Sequence, residues 1–512
     1  MGGTTTAAPS AAESVPKSSS TSPRFLPRYT FSQWLIRLLP AVIFALYTYS
    51  LQGPFQSTSC IVLSMNCKNF SDFHIEGHVR RPQFYNPVAQ YYTKLFTSHE
   101  DVGGSFAVFV DGEPVIDIFA GSKDLEGKVP YTNRTLQQVY SSGKAVEGII
   151  IARMVQGGLL DYEAKVSKYW PEFAQNGKEN VRLLDIMVHE SGVFYLDDDA
   201  RDLSWASLAD REVFSERLAK QKHYFDGKIG RAYMAVSRGW YLNEIVRRAD
   251  PQGRTIGQIA REELMHDYKD VELHFSHFED DSDWEERLSP MFDYPVLRIV
   301  GRLVIPRVLQ VHRRIGYPDM VPIHPLVGQL IRKWSLSSKA MTPRMAPFAK
   351  SFRTKDAHAT ESTSFSLKTN AHSLAKLMSL MANKGASINP DQEPDLMSRE
   401  TYTQATAYHS TLPCAITFET LPLSRGGWVK SRDFYGDGAL KGVEVQGWGG
   451  AGGSLVLWIE ELGLGFSYVT NAFGAAEAVL GDFRGHNLLE AVVVARKKEL
   501  GLLPVLEQSN TE

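Results

Sequence analysis

Ser141-Ser142-Gly143-Lys144 places a serine one helical turn ahead of a lysine, a spacing that sets hydroxyl and amine on one face of a helix. An apolar-periodic stretch from Ala145 to Val155 follows and stops at Gly157-Gly158, so the pattern predicts a helix with Ser141 at its N-terminus. Unpaired N–H groups and the helix dipole at such an end favour a developing negative charge. A serine there is a candidate nucleophile once a base takes its proton. A lysine of ordinary pKa, about 10.4, is neutral only about once in 2,500 at pH 7. Bringing it near 7 takes about 4–5 kcal/mol of destabilisation of the ammonium, which burial can supply. If Lys144 stays charged, it can instead lower the pKa of a nearby tyrosine that then acts as base. The four residues leave that choice open.

Two distant segments complete a constellation. Tyr233 lies in Gly230-Arg-Ala-Tyr-Met-Ala-Val-Ser-Arg-Gly-Trp, ahead of a helix expected over Tyr241 to Arg248, and Trp448 opens Trp448-Gly449-Gly450-Ala451 within a glycine-dense run from Gly447 to Gly453. So many glycines on a strand argue for close approach of another group to its edge. Together with Gly104-Ser-Phe-Ala-Val-Phe-Val-Asp-Gly-Glu-Pro-Val and Leu183-Leu-Asp-Ile-Met-Val-His-Glu-Ser-Gly, these motifs resemble the serine beta-lactamase and penicillin-binding superfamily. The chain is most similar to its class C-type branch of bacterial serine carboxylesterases and eukaryotic beta-lactamase-domain proteins. The resemblance runs from about Phe84 to Leu500. It implies Ser141, Lys144 and Tyr233 as the catalytic set. It further implies an oxyanion hole from the backbone N–H groups of Ser141 and Ala451, with substrate along Trp448, Gly449 and Gly450. Ala235 stands where the family carries an asparagine that helps hold lactams, and Trp448 stands where it carries a cation that receives a substrate carboxylate. Tryptophan offers an apolar face and one N–H. Both departures imply a neutral ester or amide in place of a lactam.

The elements that must position these residues are legible at both ends of the chain. Phe106 to Phe119 reads as a hairpin around Asp111-Gly112, a strong turn signal. Ser454 to Ile459 and Gly465 to Val469 read as a second hairpin, and Ala475 to Leu500 as a helix with Arg496, Lys497 and Lys498 in its last turns. Strands near both ends with helices between predict an α+β fold. The resemblance implies the same beta-lactamase/transpeptidase-like arrangement: an antiparallel sheet built from both chain ends, flanked by helices, with an inserted helical lobe over about 159–386. Within the lobe, about 282–360 is an irregular insert, basic and proline-containing. Its run from Val296 to Leu309 reads as a helix packed on the lobe, with a lid as the other use. The whole hydrolase domain is expected over 84–505.

The remaining features bound the molecule. The chain has 512 residues, 43% hydrophobic and 22% charged, with a net charge of −3. That describes a globular protein with no strong nucleic-acid partner. Residues 1–33 form a Ser/Thr/Pro-rich tail too poor in large apolar groups to fold. Residues 34–51 are an apolar run interrupted by Arg37 and Pro40, with Lys17, Arg24 and Arg28 before it. They read as a signal-anchor holding a lumenal or extracellular domain in a membrane; a cleaved signal and a mitochondrial presequence with an inner-membrane anchor are the alternatives. Residues 52–83 read as a linker. Of 3 cysteines, Cys60 and Cys67 suit a small disulfide loop and Cys414 is left free. Asn69-Phe-Ser71 and Asn133-Arg-Thr135 are sequons. His274, His277, Glu279, Asp280 and Asp281 match no metal-binding spacing and read as a solvated loop, so neither metal nor cofactor is expected. His189 reads as a structural helix-end residue, and no G-x-S-x-G elbow is present. The expected function is hydrolysis of a small ester or amide through a Ser141 acyl-enzyme. The alternatives are a scaffold or filament-forming protein that keeps the fold, or a peptidase/transpeptidase-like variant. The oligomeric state is not legible.

Overall fold

The computed structural model describes residues 73–98, 100–196, 210–276, 283–294, 360–416, 420–432, 438–474 and 481–503, together with a helix at 36–43 and positions 2, 55, 59, 60 and 65. Two units are distinguished, Met1–Tyr47 and Thr48–Glu512.

The larger unit is organised by a nine-stranded sheet whose neighbouring strands all run antiparallel. In chain order the strands are β1 (Ile75–Val79), β2 (Gly103–Val110), β3 (Glu113–Gly121), β4 (Tyr408–Ser410), β5 (Leu423–Ser424), β6 (Val429–Ser431), β7 (Val445–Gly449), β8 (Leu455–Ile459) and β9 (Leu464–Thr470). Their order across the sheet is β1-β3-β2-β9-β8-β7-β6-β5-β4. The two chain ends meet where β9 pairs with β2, from Leu464 opposite Val110 to Thr470 opposite Gly104. Both expected hairpins are present. Asp111 and Gly112 take φ of 49° and 85°, the left-handed pair that a two-residue turn needs to match strand twist. Gly463, with φ 61°, closes the second connection.

Period-two alternation sends β9 side chains to both faces, and helices cover both. On one face, Gly465 lies against helix α6 (Ala371–Ala382), where an added Cβ would come within 2.4 Å of Ala375 O and Ser379 N. On the other, Phe466 and Tyr468 join Phe106 and Tyr92. Tyr92 belongs to helix α1 (Pro82–Thr97), and Gly485 of helix α8 (Phe483–Glu499) packs on Leu455 and Tyr468. All eight residues of β2 are buried. Between the sheet halves come α2 (Gly143–Gln156), α3 (Leu183–Met187), α4 (Arg211–Lys220), α5 (Ser237–Ala249) and, just before β4, α7 (Arg399–Thr406). In α2 every residue from Gly143 to Ala152 is buried, Lys144 and Glu147 among them, as expected of a helix covered on all sides.

Several boundaries differ from the sequence reading. β1 lies inside the stretch read as linker; its polar, largely exposed residues carry little strand signal because it is an edge strand paired only to β3. Helix α6, placed in the lobe by sequence order, packs on the sheet. The C-terminal helix starts at Phe483, where Gly481 has φ 86° and Asp482 caps by accepting from Arg484 N. Cys60 is disulfide-bonded and Cys414 is free; Cys67, Asn69, the run from Val296 to Leu309, and His277 with its acidic neighbours lie outside the described residues.

The membrane anchor expected over 34–51 is corrected. In the first unit the described helix covers only residues 36–43, about 12 Å at 1.5 Å per residue, against a hydrocarbon thickness of about 30 Å. Among the described residues no helix is long and apolar enough to cross a membrane. The apolar run that suggested one is broken by Arg37 and Pro40, and the lumenal or extracellular placement that rested on it is dropped with it.

Candidate active site

Ser141 sits in a single 3₁₀ turn, Tyr140–Ser142, that leads directly into α2. Tyr140 ahead of it has φ 48°, a left-handed conformation that a bulky residue adopts only where its surroundings enforce it. Those surroundings are explicit. The Tyr140 ring is buried edge-on against Phe473, with centroids 5.5 Å apart. Ser142 Oγ lies 3.0 Å from Ser454 Oγ, which in turn donates to Val139 O at 2.8 Å. Gly450 follows β7 and packs so closely that a Cβ there would stand 2.1 Å from Val139 O and 2.3 Å from Ser454 Oγ. The start of α2 is thus clamped to the end of β7, and the loop carrying Ala451 lies beside the Ser141 turn. Among the described residues no acceptor takes the Ala451 N–H.

Among the described residues Ser141 Oγ has two polar neighbours: it accepts from Tyr233 OH at 2.8 Å and lies 3.2 Å from Lys144 Nζ. Lys144 has no exposed surface. Its Nζ also donates to Ala235 O and to Ser364 O, each at 2.9 Å. Burial holds its pKa well below the usual lysine range; Glu147 opposes this and Arg238 adds to it. A neutral amine has two N–H groups and one lone pair. With the two carbonyls taking both N–H groups of such an amine, its lone pair would face the Ser141 hydroxyl. Tyr233 is shifted the other way: burial pushes its phenol up to about 12, against the opposing hydrogen bond with Ser141. The Ser141 hydroxyl therefore lies between an amine whose pKa burial drives down and a phenol whose pKa burial drives up.

The sequence reading placed Ser141, Lys144 and Tyr233 in one site, and the structure brings all three together. Trp448 joins them in a different way from the one expected. Its side chain is fully buried, stacked on the Tyr233 ring with centroids 6.1 Å and planes 28° apart. It backs the tyrosine and presents no open face to a cleft. Gly449 ends β7 opposite Leu455. His189, expected to be structural, does end α3, with φ 64°, and also packs on both rings at 5.0 Å from Tyr233 and 5.7 Å from Trp448. Its Nδ1 accepts from Met234 N, and burial, then the Arg238 charge, holds its pKa well below the usual histidine range. Cys414 Sγ accepts from Tyr233 N at 3.2 Å. Glu147 and Arg238, with Ser364 and Cys414, escaped the sequence reading. A glutamate inside an otherwise apolar helix was the available signal for the first; the others arrive from sequence-distant segments.

A family model described as Beta-lactamase matches residues 88–490. The chain is 34% identical over 179 residues to the esterase/beta-lactamase LipL of Mycobacterium tuberculosis (strain ATCC 25618 / H37Rv), a match covering 35% of this chain and 40% of that protein. It is 30% identical over 98 residues to the mitochondrial serine beta-lactamase-like protein LACTB of Bos taurus, covering 18% of each. The matches thus span less than half of either relative. Among solved structures, a penicillin-binding protein homologue from Caulobacter crescentus superposes with a TM-score of 0.65 at 24% identity, and a family VIII carboxylesterase with 0.65 at 22%, each covering 82% of this chain and 100% of the other. At such identities the likeness is one of fold, the beta-lactamase/transpeptidase-like fold. With the model matched over most of its length, the chain belongs to the beta-lactamase family.

Proposed function

We propose that the protein is a serine hydrolase that cleaves a neutral ester or amide through an acyl-enzyme on Ser141. One observation carries the reading: Ser141 Oγ stands between a buried Lys144 amine whose pKa is driven down and a Tyr233 phenol whose pKa is driven up. Ser141 gives its proton to the Lys144 lone pair as Oγ attacks the carbonyl carbon. The tetrahedral oxyanion is received by the N–H groups of Ser141 and Ala451, donors of a kind worth about 3–4 kcal/mol each in the transition state. The proton passes through Tyr233 to the leaving alcohol or amine. Water, deprotonated by the same pair, then releases the acid and restores Ser141.

A neutral substrate fits because neither Ala235 nor Trp448 offers a charge for a substrate carboxylate, and Trp448 is committed to supporting Tyr233. The names of LipL, an esterase/beta-lactamase, and of the family VIII carboxylesterase agree with ester cleavage. Intact-mass labelling with a fluorophosphonate tests the proposal. One adduct is expected on the native chain and none on Ser141→Ala, followed by turnover of short-chain aryl esters. A folded chain that takes no adduct and turns over no ester refutes it.

A further inference from the structure

We propose that Glu147 and Arg238 are a positioning pair for the Lys144 amine: the carboxylate ties together the two segments whose carbonyls hold that amine, and the guanidinium cancels the carboxylate's charge beside it. The inference rests on the reading of Lys144 as the base and adds two residues to it. Glu147 follows Lys144 by one turn of α2, and both side chains lack exposed surface. Glu147 Oε1 accepts from Thr363 Oγ1 at 2.5 Å and from Ser364 Oγ at 3.4 Å. Ser364 O is one of the two carbonyls that take a Lys144 N–H. Glu147 Oε2 lies 3.0 Å from Arg238 Nε, again with both side chains fully buried. Arg238 stands three residues beyond Ala235, whose carbonyl takes the other N–H. Gly239 lets the segments meet, since a Cβ there would lie 2.5 Å from Ser364 N and 2.6 Å from Thr363 Oγ1.

The charges matter as much as the tethering. A lone carboxylate beside Lys144 favours the ammonium, and a lone guanidinium disfavours it. The directions at Lys144 agree: Glu147 raises its pKa and Arg238 lowers it. The groups around the amine are Ser141 and Glu147 from α2 and its leading turn, Tyr233 and the Ala235 carbonyl ahead of α5, Arg238 on α5 and the Ser364 carbonyl. His189 lies beyond the Tyr233 ring and is neutral. Within that set Glu147 and Arg238 act on the amine in opposite directions, and burial is the larger effect.

Titration of the Lys144 amine by NMR, in full-length chain carrying ¹⁵N-lysine and assigned with Lys144→Arg, tests the pair. Glu147→Gln keeps the hydroxyl contacts and exposes the amine to Arg238 alone, so its midpoint falls by about one pH unit or more. Arg238→Gln raises it by a similar amount, the double substitution returns it toward the native value, and Arg238→Lys leaves it in place. A midpoint unmoved in Glu147→Gln, or moved in the same direction by both single substitutions, overturns the proposal. If Arg238→Gln does not fold, Glu147→Gln and Arg238→Lys still decide. Fluorophosphonate labelling of the same preparations reports on Ser141 independently: a native chain that is not labelled refutes the hydrolase reading, while the amine titration still judges the pair.

Discussion

Lys144 and Tyr233 both touch Ser141, yet their surroundings assign them opposite protonation states, and that difference has a kinetic signature. In the proposed active form Lys144 is neutral and Tyr233 is protonated. Activity then rises with pH as Lys144 loses its proton, below the usual lysine range because burial disfavours the ammonium. It stays level until Tyr233 ionises near 12. If a Tyr233 phenolate were the base, the rate would keep climbing through the alkaline range. A pH profile of kcat/KM for an aryl ester separates the two, with a single acid limb and a plateau expected. Tyr233→Phe should lower kcat by about 10²–10⁴-fold, the usual size of a lost proton-transfer group, and keep that acid limb. Trp448 contributes through packing. Trp448→Ala removes a fully buried ring from under Tyr233 and should cost about 3–5 kcal/mol of stability, read by denaturant unfolding. It should also reduce kcat, because the phenol loses its support.

At the scale of elements, the site is a junction between the start of α2 and the end of β7, and Gly450 is its tightest point. A methyl group there collides with Val139 O and Ser454 Oγ, so either the Ser141 turn or the Ala451 loop must move. Gly450→Ala should therefore lower the rate of fluorophosphonate labelling by about 10²-fold or more, the effect of a misplaced oxyanion donor, while circular dichroism stays native. Labelling at the native rate would show that the junction does not position the oxyanion site. Much of this element level was legible in the sequence because its signals are local: Asp111-Gly112 specified one hairpin turn, two short apolar runs marked the other hairpin, and Gly157 stopped α2. What escaped depends on contacts between distant segments. Helix α5 begins at Ser237, four residues before the expected start at Tyr241, and Gly239 sits inside it because Thr363 and Ser364 press against that position. Arg238 looks like a surface charge in one dimension and Glu147 is marked only by its apolar surroundings in the sequence; Arg238 and the approach of 363–364 make the two a buried pair. The apolar run at 34–51 misled for the opposite reason: composition alone suggested a span that the described helix does not form.

At the scale of the whole molecule, His372 links segments far apart in the chain. It stands on α6, with Nδ1 2.8 Å from Asp117 of β3 and Nε2 3.1 Å from Asp270, in the segment leading out of the helical lobe. Lys376, one turn on, also reaches Asp270 at 2.6 Å. Burial alone would lower the pKa of His372, but hydrogen bonds and charge from Asp117 and Asp270 outweigh it and raise the imidazole to about 9. The same contacts hold the Asp270 carboxyl well below its ordinary range, against the effect of burial. The side chain is only 20% exposed, so solvent screens the pair weakly. A histidine whose folded pKa exceeds its unfolded value of about 6.5 binds its proton more tightly in the native state. Its contribution, on the order of 3 kcal/mol for a shift of this size, is fully present below about pH 6.5 and fades as pH rises through 9. The Asp270 contribution runs the other way, present above the ordinary aspartate range and lost only in strong acid. Native chain and His372→Gln should therefore differ most in urea midpoint near pH 6 and converge above pH 9. A difference that stays constant across that range would mean that His372 holds sheet and lobe together by packing alone.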